Sequence, residues 1–177
     1  MNKNSLAIVY ASNDGHTKLI CETLVQHLQP LGTTATLITI DDFTTEQLVD
    51  YDKVVFGCAV RYGKHIKKMV KFLLANQVIL QQKRTAFFSV NLTARKPDKN
   101  TPQTSIYVKK LFKKMTWQAD LSAVFAGKIN YPIYGPFDTF IIRFIMWMTK
   151  GPTDPNTVVD FTDWHKVKQF ALAIHEL

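Results

Sequence analysis

The sequence is short of the features that would assign it quickly, and each absence excludes something. Cysteine occurs twice, as Cys21 and Cys58, and makes no disulfide or metal-ligating pattern. That usage fits a reducing compartment. No stretch reaches the ~18 apolar residues of a membrane-spanning helix. No secretory signal is seen at the N-terminus, so a cytoplasmic protein is expected. Neither Gly-x-x-x-x-Gly-Lys nor Gly-x-Gly-x-x-Gly occurs, which removes the two commonest phosphate loops. No Ser/His/Asp set, paired carboxylates or metal cluster is legible, so no catalytic acid or base is assigned and no metal is expected. Acidic residues nearly vanish from the middle: residues 61–114 hold 14 of the 22 Lys/Arg and a single acid, Asp98. The remainder is net −5 within a chain of net +8, an asymmetry that suggests one basic surface facing an anionic partner.

What is present is organised around Leu6–Thr17. Six apolar residues, Leu6–Ala11, read as a strand buried on both faces. The polar run Ser12-Asn13-Asp14-Gly15-His16-Thr17 reads as a tight loop. From His16 to Leu28 the spacing turns helical, with Leu19, Ile20, Leu24 and Leu28 on one side. A helix start leaves N–H groups unpaired and carries partial positive charge. A loop with Ser12, Gly15 and Thr17 at that place can wrap a phosphate. The pattern Ser-x-x-Gly-x-Thr resembles the flavodoxin phosphate loop, which holds the phosphate of FMN. Asp14 stands where that loop usually has a hydroxyl residue.

At 177 residues and 46% apolar content, one domain over 1–177 is expected. Further strands are predicted over 34–40, 53–59, 84–90 and 121–130, with a short strand remnant at 158–161. Helices are predicted over 64–80, 103–115 and 162–177, with a short helical stretch ending near Asp50. Strands alternating with helices imply βαβ units and a parallel sheet covered on both faces. Five strands suit a flavodoxin-like, doubly wound α/β fold of order 2-1-3-4-5, with a ligand beyond the carboxyl ends of the strands. In that order the lysine-rich helices after strands three and four share one face. Two more loops then flank the first. Arg61-Tyr62-Gly63 follows strand three, where a ring beside a glycine can stack on a flat heterocycle. Asn91-Leu92-Thr93-Ala94 follows strand four, with Arg95 and Lys96 at its rim as carboxylate partners. Cys58 is expected to be a buried structural thiol, and His65 a solvated residue at a helix start.

The runs Arg61-Tyr62-Gly63, Phe88 to Pro97, Thr101-Pro102-Gln103-Thr104, Ala126-Gly127, Tyr131-Pro132 and Thr162-Asp163-Trp164 resemble the quinone-dependent protoporphyrinogen dehydrogenases. These are flavodoxin-like, FMN-dependent enzymes of bacterial haem synthesis. The resemblance covers nearly the whole chain. It implies oxidation of protoporphyrinogen IX to protoporphyrin IX, with electrons passed to menaquinone or ubiquinone. It also implies peripheral attachment to the cytoplasmic face of the inner membrane. The basic surface suits either the two propionates of that substrate or an anionic membrane surface. Two other readings are a flavodoxin-type electron carrier and a flavin-dependent NAD(P)H:quinone reductase. A nucleic-acid partner is not expected, since no recognised motif accompanies the charge.

Residues 131–156 interrupt the sheet pattern, as the insertion of long-chain flavodoxins does. Gly135-Pro136 and Gly151-Pro152 bracket an apolar segment, 137–150. As a helix, its polar residues fall within roughly 140° and the remaining ~220° is apolar, wider than the ~100° needed to seat a helix on a core. At ~1.5 Å per residue it is about 21 Å long and cannot span a ~30 Å hydrocarbon layer. The expectation is an interfacial helix with Phe140, Phe144 and Trp147 toward the membrane or the quinone.

Overall fold

The computed structural model describes residues 5–177; residues 1–4 of the expected domain lie outside the described residues. Strand β1 (Leu6–Ala11) is central, and α1 (His16–Leu28) follows with the bounds the sequence predicts. β2 (Ala35–Thr39) pairs with β1 in parallel, and α2 (Thr45–Val49) is closed by a capping box between Thr44 and Gln47. β3 (Lys53–Arg61) lies on the other side of β1. After β4 (Lys64–His65), α3 (Lys67–Ala75) and α4 (Gln77–Leu80), β5 (Arg84–Asn91) pairs with β3. α5 (Ile106–Phe112) leads to β6 (Leu121–Ala126), which pairs with β5. The order β2-β1-β3-β5-β6, all parallel, is the expected doubly wound 2-1-3-4-5 with the short β4 counted.

The core lies in two layers because alternate residues of each buried strand point to opposite faces. Ala7, Val9, Val54, Phe56 and Phe87 pack under α2–α5, with Met69, Leu73, Val108 and Trp117. Leu6, Ile8, Val55 and Phe88 pack under α1 and α7 (Trp164–Glu176), against Ile20, Leu24, Phe170 and Ile174. Leu24 and Ile174 are fully buried, and truncating such a side chain to Ala costs about 2–5 kcal/mol. Helices α3 and α5 share one face, as the order requires.

Three departures from the expected elements shape the site. The single helix expected over 64–80 is replaced by β4, α3 and α4. Tyr62 and Gly63 both have positive φ, +50° and +75°, so Arg61–Lys64 makes a tight type I′ hairpin. That turn folds Lys64 and His65 back on β3, and α3 starts only at Lys67. Asn76 then divides α3 from α4, its Nδ2 donating to the Phe72 carbonyl and its Oδ1 accepting from Thr45. The strand expected over 121–130 divides at Gly127, and β7 (Lys128–Asn130) leaves the main sheet. It pairs antiparallel with β8 (Val158–Asp160). Residues 131–157 therefore project from a small ribbon, and within them α6 runs Pro136–Met148, capped by Gly135. Among the described residues, no helix is long and apolar enough to cross a membrane.

Candidate functional site

The carboxyl ends of β1, β3 and β5 open on one cleft, with a cavity volume of about 130 Å³. All three predicted loops line it: Ser12–Asp14 with His16 and Thr17, Arg61–Gly63, and Asn91–Thr93. In the first loop, Gly15 turns the chain with φ +81°, open to the left-handed region because it has no Cβ. α1 begins there with no side-chain cap, so its first N–H groups stand free at the positive end of the helix. Ser12 Oγ is buried without a hydrogen-bond partner. The Thr17 side chain, in the first turn of α1, is buried beside it and lines the same cleft. A buried unpaired polar atom costs about 1–3 kcal/mol, so such atoms mark a place shaped for something else.

Asp14 does not intrude on that cradle. Its carboxylate accepts from Arg61 Nη1 at 3.1 Å, which turns the negative charge toward the second loop. His16 points away: its Nε2 lies 2.6 Å from Thr162 Oγ1, which in turn donates to the Ala126 carbonyl. Burial holds its pKa below the ordinary value despite Asp160 nearby, so the neutral ring ties the loop to the start of α7. His16 and the Thr162-Asp163-Trp164 run thus anchor the first loop from behind, and Asp163 caps α7 through the Lys166 N–H.

The third loop is built by Asn91. Its Oδ1 accepts from the Ala94 N–H and the Thr93 hydroxyl, winding Leu92–Arg95 into a 3-10 turn. Its Nδ2 is left buried and unpartnered, the second orphaned atom among the cleft-lining residues. Ala94 is buried beneath the turn. Arg95 corrects the expectation of a free cation at the rim. Its guanidinium donates to the Leu92 carbonyl at 2.9 Å and to the Thr149 hydroxyl and carbonyl at 2.7 and 2.9 Å. Arg95 therefore straps the β5 loop to the end of α6. Lys96, half-buried, keeps an ammonium with no partner among the described residues.

The second loop meets α6. Arg61 and Tyr62 both bond to Asp138 in the first turn of α6, and the Tyr62 ring stands edge-on to Phe137 with centroids 6.4 Å apart. The inner side of the segment closes the cleft with Tyr134, Ile142 and Ile145. Sequence reasoning missed these three, along with Tyr107 of α5. The wide apolar arc of the segment was the only signal, and it did not say which side faces inward. The outer side carries Phe137, Phe140, Phe144 and Trp147, each at least half exposed. These positions form a stripe at helical spacing, and the Phe144 and Trp147 rings lie 6.1 Å apart.

Two titratable groups near the cleft are quiet. Cys58 is fully buried, and burial pushes its thiol up to about 12, so it is inert as predicted. His65 is not the solvated residue expected. Hairpin β3–β4 buries it, its Nε2 lies 2.8 Å from Ser89 Oγ, and desolvation brings its pKa down to about 4.

The comparisons with known proteins agree with this architecture. The Flavodoxin domain family model matches residues 7–156. Among solved structures, an archaeal flavodoxin superposes with a TM-score of 0.55 at 16% identity, covering 97% of this chain and 96% of that one. Flavodoxin 1 of Bacillus cereus does so with 0.56 at 13% identity, covering 98% of both. At such identities these likenesses speak for the fold. The sequence relatives are nearer. Protoporphyrinogen IX dehydrogenase [quinone] of Escherichia coli K12 is 38% identical over 170 residues, 96% of this chain and 94% of the relative. The protein of that name from Leishmania major is 39% identical over 165 residues, 93% of this chain and 71% of the relative. Identity at this level, over 96% and 93% of the chain, means that the chain belongs to the protoporphyrinogen IX dehydrogenase [quinone] family of flavodoxin-domain proteins.

Proposed function

We propose that this chain is an oxidoreductase that binds FMN in the cleft and oxidises protoporphyrinogen IX to protoporphyrin IX, passing the electrons to a membrane quinone. The observation that carries the reading is the pair of buried, unpartnered groups lining the cleft, Ser12 Oγ and Asn91 Nδ2. They fit the two ends of a flavin mononucleotide. Ser12, Thr17 and the free N–H groups of α1 are suited to the phosphate. Asn91 and the backbone of Leu92–Ala94 are suited to the polar edge of the ring, with Arg61-Tyr62-Gly63 on the opposite flank. Bound there, FMN supplies acceptance of an electron pair from the substrate and its return to a quinone. Full aromatisation removes six electrons and six hydrogens, so three quinones become three quinols per porphyrin.

The protein's share is binding, orientation and exclusion of water. Among the described residues of the cleft, Asp14 and Asp138 are paired with Arg61, and His16 with Thr162, so these three groups are engaged within the protein. Lys96 adds its charge to the field that draws a dianionic substrate to the cleft mouth, and Arg95 holds the loop in shape.

The outer stripe of α6 is suited to the bilayer interface, Phe140, Phe144 and Trp147 reaching the acyl boundary at the cytoplasmic face of the inner membrane. Its inner side, Ile142 and Ile145, would face the flavin, giving menaquinone or ubiquinone an apolar path from lipid to cofactor. The test is direct. Cofactor released by heat should be FMN, and anaerobic protoporphyrinogen should bleach the bound flavin, with colour restored by quinone. FAD in the extract, or a flavin untouched by protoporphyrinogen, overturns the reading in favour of an electron carrier or another flavoenzyme.

A further inference from the structure

Helices α3 and α5 leave a groove between them of about 310 Å³, within the size of small-molecule sites. One wall is the α3 face of Lys67, Val70 and Lys71; the other is Tyr107, Lys110 and Leu111 of α5, with Lys114 in the turn that follows it. The lysines stand exposed along the rims, while Val70 and Leu111 form an apolar floor beside the buried His65. None of these lysines, nor Lys64 at the mouth, has a carboxylate within 4 Å among the described residues. Lys68, just outside, is paired with Asp41. So many unpaired cations repel one another, a cost the ligand-free protein bears without any internal return. The groove also joins the flavin cleft, because Gly63 and Tyr107 line both.

We propose that this groove holds the carboxylate-bearing edge of the porphyrinogen while its ring reaches the cleft past Tyr107; the inference rests on the function proposed above. The chemistry matches in three ways. The substrate's two propionates lie on neighbouring pyrroles; α3 offers Lys67 and Lys71 one turn apart, about 6 Å along the axis, and the facing wall offers Lys110 and Lys114. The apolar floor suits the alkyl rim of a tetrapyrrole. The passage from lysines to cleft lets one molecule touch both sites. A duplex or a flat anionic bilayer would instead call for charge on a convex or planar surface. Arg95 is engaged with Thr149, so the carboxylate site expected at Arg95 and Lys96 moves to the groove, Lys96 keeping a steering role.

The test uses the FMN-loaded protein, protoporphyrin IX and its dimethyl ester, and the variant Lys71→Gln, Lys110→Gln, Lys114→Gln. Those side chains are exposed, and removing mutual repulsion leaves the fold at least as stable. The wild type is expected to bind the free acid roughly tenfold tighter than the ester, the sum of several exposed ion pairs. The variant binds acid and ester alike, keeps its flavin, and shows a KM for protoporphyrinogen raised roughly tenfold with kcat held. Lys96→Gln changes the acid-to-ester ratio by less than about threefold. A variant that keeps the discrimination overturns the proposal. So does one that loses binding only to phosphatidylglycerol vesicles, which assigns the groove to lipid headgroups. A wild-type flavin that protoporphyrinogen cannot reduce overturns the proposed function itself, and that is measured before any variant is made.

Discussion

Replacing Phe144 and Trp147 together is the sharpest probe of α6. Phe144 is 50% exposed and Trp147 70%, so neither holds the core together. Aromatic side chains bury about 150–250 Å² each, which leaves roughly 275 Å² of these two rings in water. At about 25 cal/mol per Å², full transfer of that area to lipid is worth about 7 kcal/mol. A helix lying in the interface immerses part of it, so about 3 kcal/mol is a working figure, equivalent to a partition coefficient changed by roughly a hundredfold. Phe144→Gln with Trp147→Gln removes this term without adding charge. The Glu pair adds repulsion from anionic lipid on top. Both variants should keep their flavin, with stability within about 0.5 kcal/mol of the parent, as surface substitutions do. Co-sedimentation with phosphatidylglycerol vesicles reads the partition, and quinone reduction in the same vesicles reads the consequence. If the Gln pair sediments within threefold of the wild type and reduces quinone normally, the stripe does not enter lipid, and the membrane role of α6 is refuted.

Ser12→Ala should weaken FMN binding by about 0.5–1.5 kcal/mol, more if the lost partner is the charged phosphate. The same change should raise the melting temperature of the flavin-free protein, because it removes a buried hydroxyl without a partner; flavin titration and thermal melts check the opposite signs. Arg95→Gln should lower stability by about 1–3 kcal/mol by freeing the Thr149 strap, while leaving the acid-to-ester preference for protoporphyrin unchanged; urea melts and porphyrin titration separate the two. His65 predicts a pH dependence. Its pKa falls from 6.5 unfolded to about 4 folded, so the unfolded chain binds the extra proton and stability declines as pH falls from about 6.5 toward 4. The full effect is on the order of 3 kcal/mol, and His65→Gln should flatten that limb of the urea-melt profile.

Much of the frame is local and therefore legible in the chain. The six-residue apolar run and the helical spacing after it set β1 and α1 with their bounds, because a strand buried on both faces and an amphipathic helix each leave a periodic trace. Alternation of such segments implied a parallel sheet, five strands suited the doubly wound order, and that order placed three loops around one cleft. The lysine faces of α3 and α5 were visible as charge at helical spacing, and their common side followed from topology.

What the sequence could not carry depends on contacts between residues far apart in it. The I′ hairpin at Tyr62-Gly63 overrode a helical pattern from Lys64, because pairing with β3 buries His65 against Ser89, 24 residues on. Arg95 reads as a loop cation until Thr149, 54 residues away, takes its guanidinium. Arg61 meets Asp138 across 77 residues, which fixes the side of α6 that closes the cleft. An apolar arc of ~220° can be seated in more than one way, and the ribbon β7–β8, the latch at Asp138 and the Arg95 strap at Thr149 orient it. Sequence determined which elements form and their order. Tertiary structure decided which charges are already paired, which lysines remain unpaired along the α3–α5 groove, and which polar atoms are left buried and empty-handed in the cleft, since pairing is a property of neighbours in space.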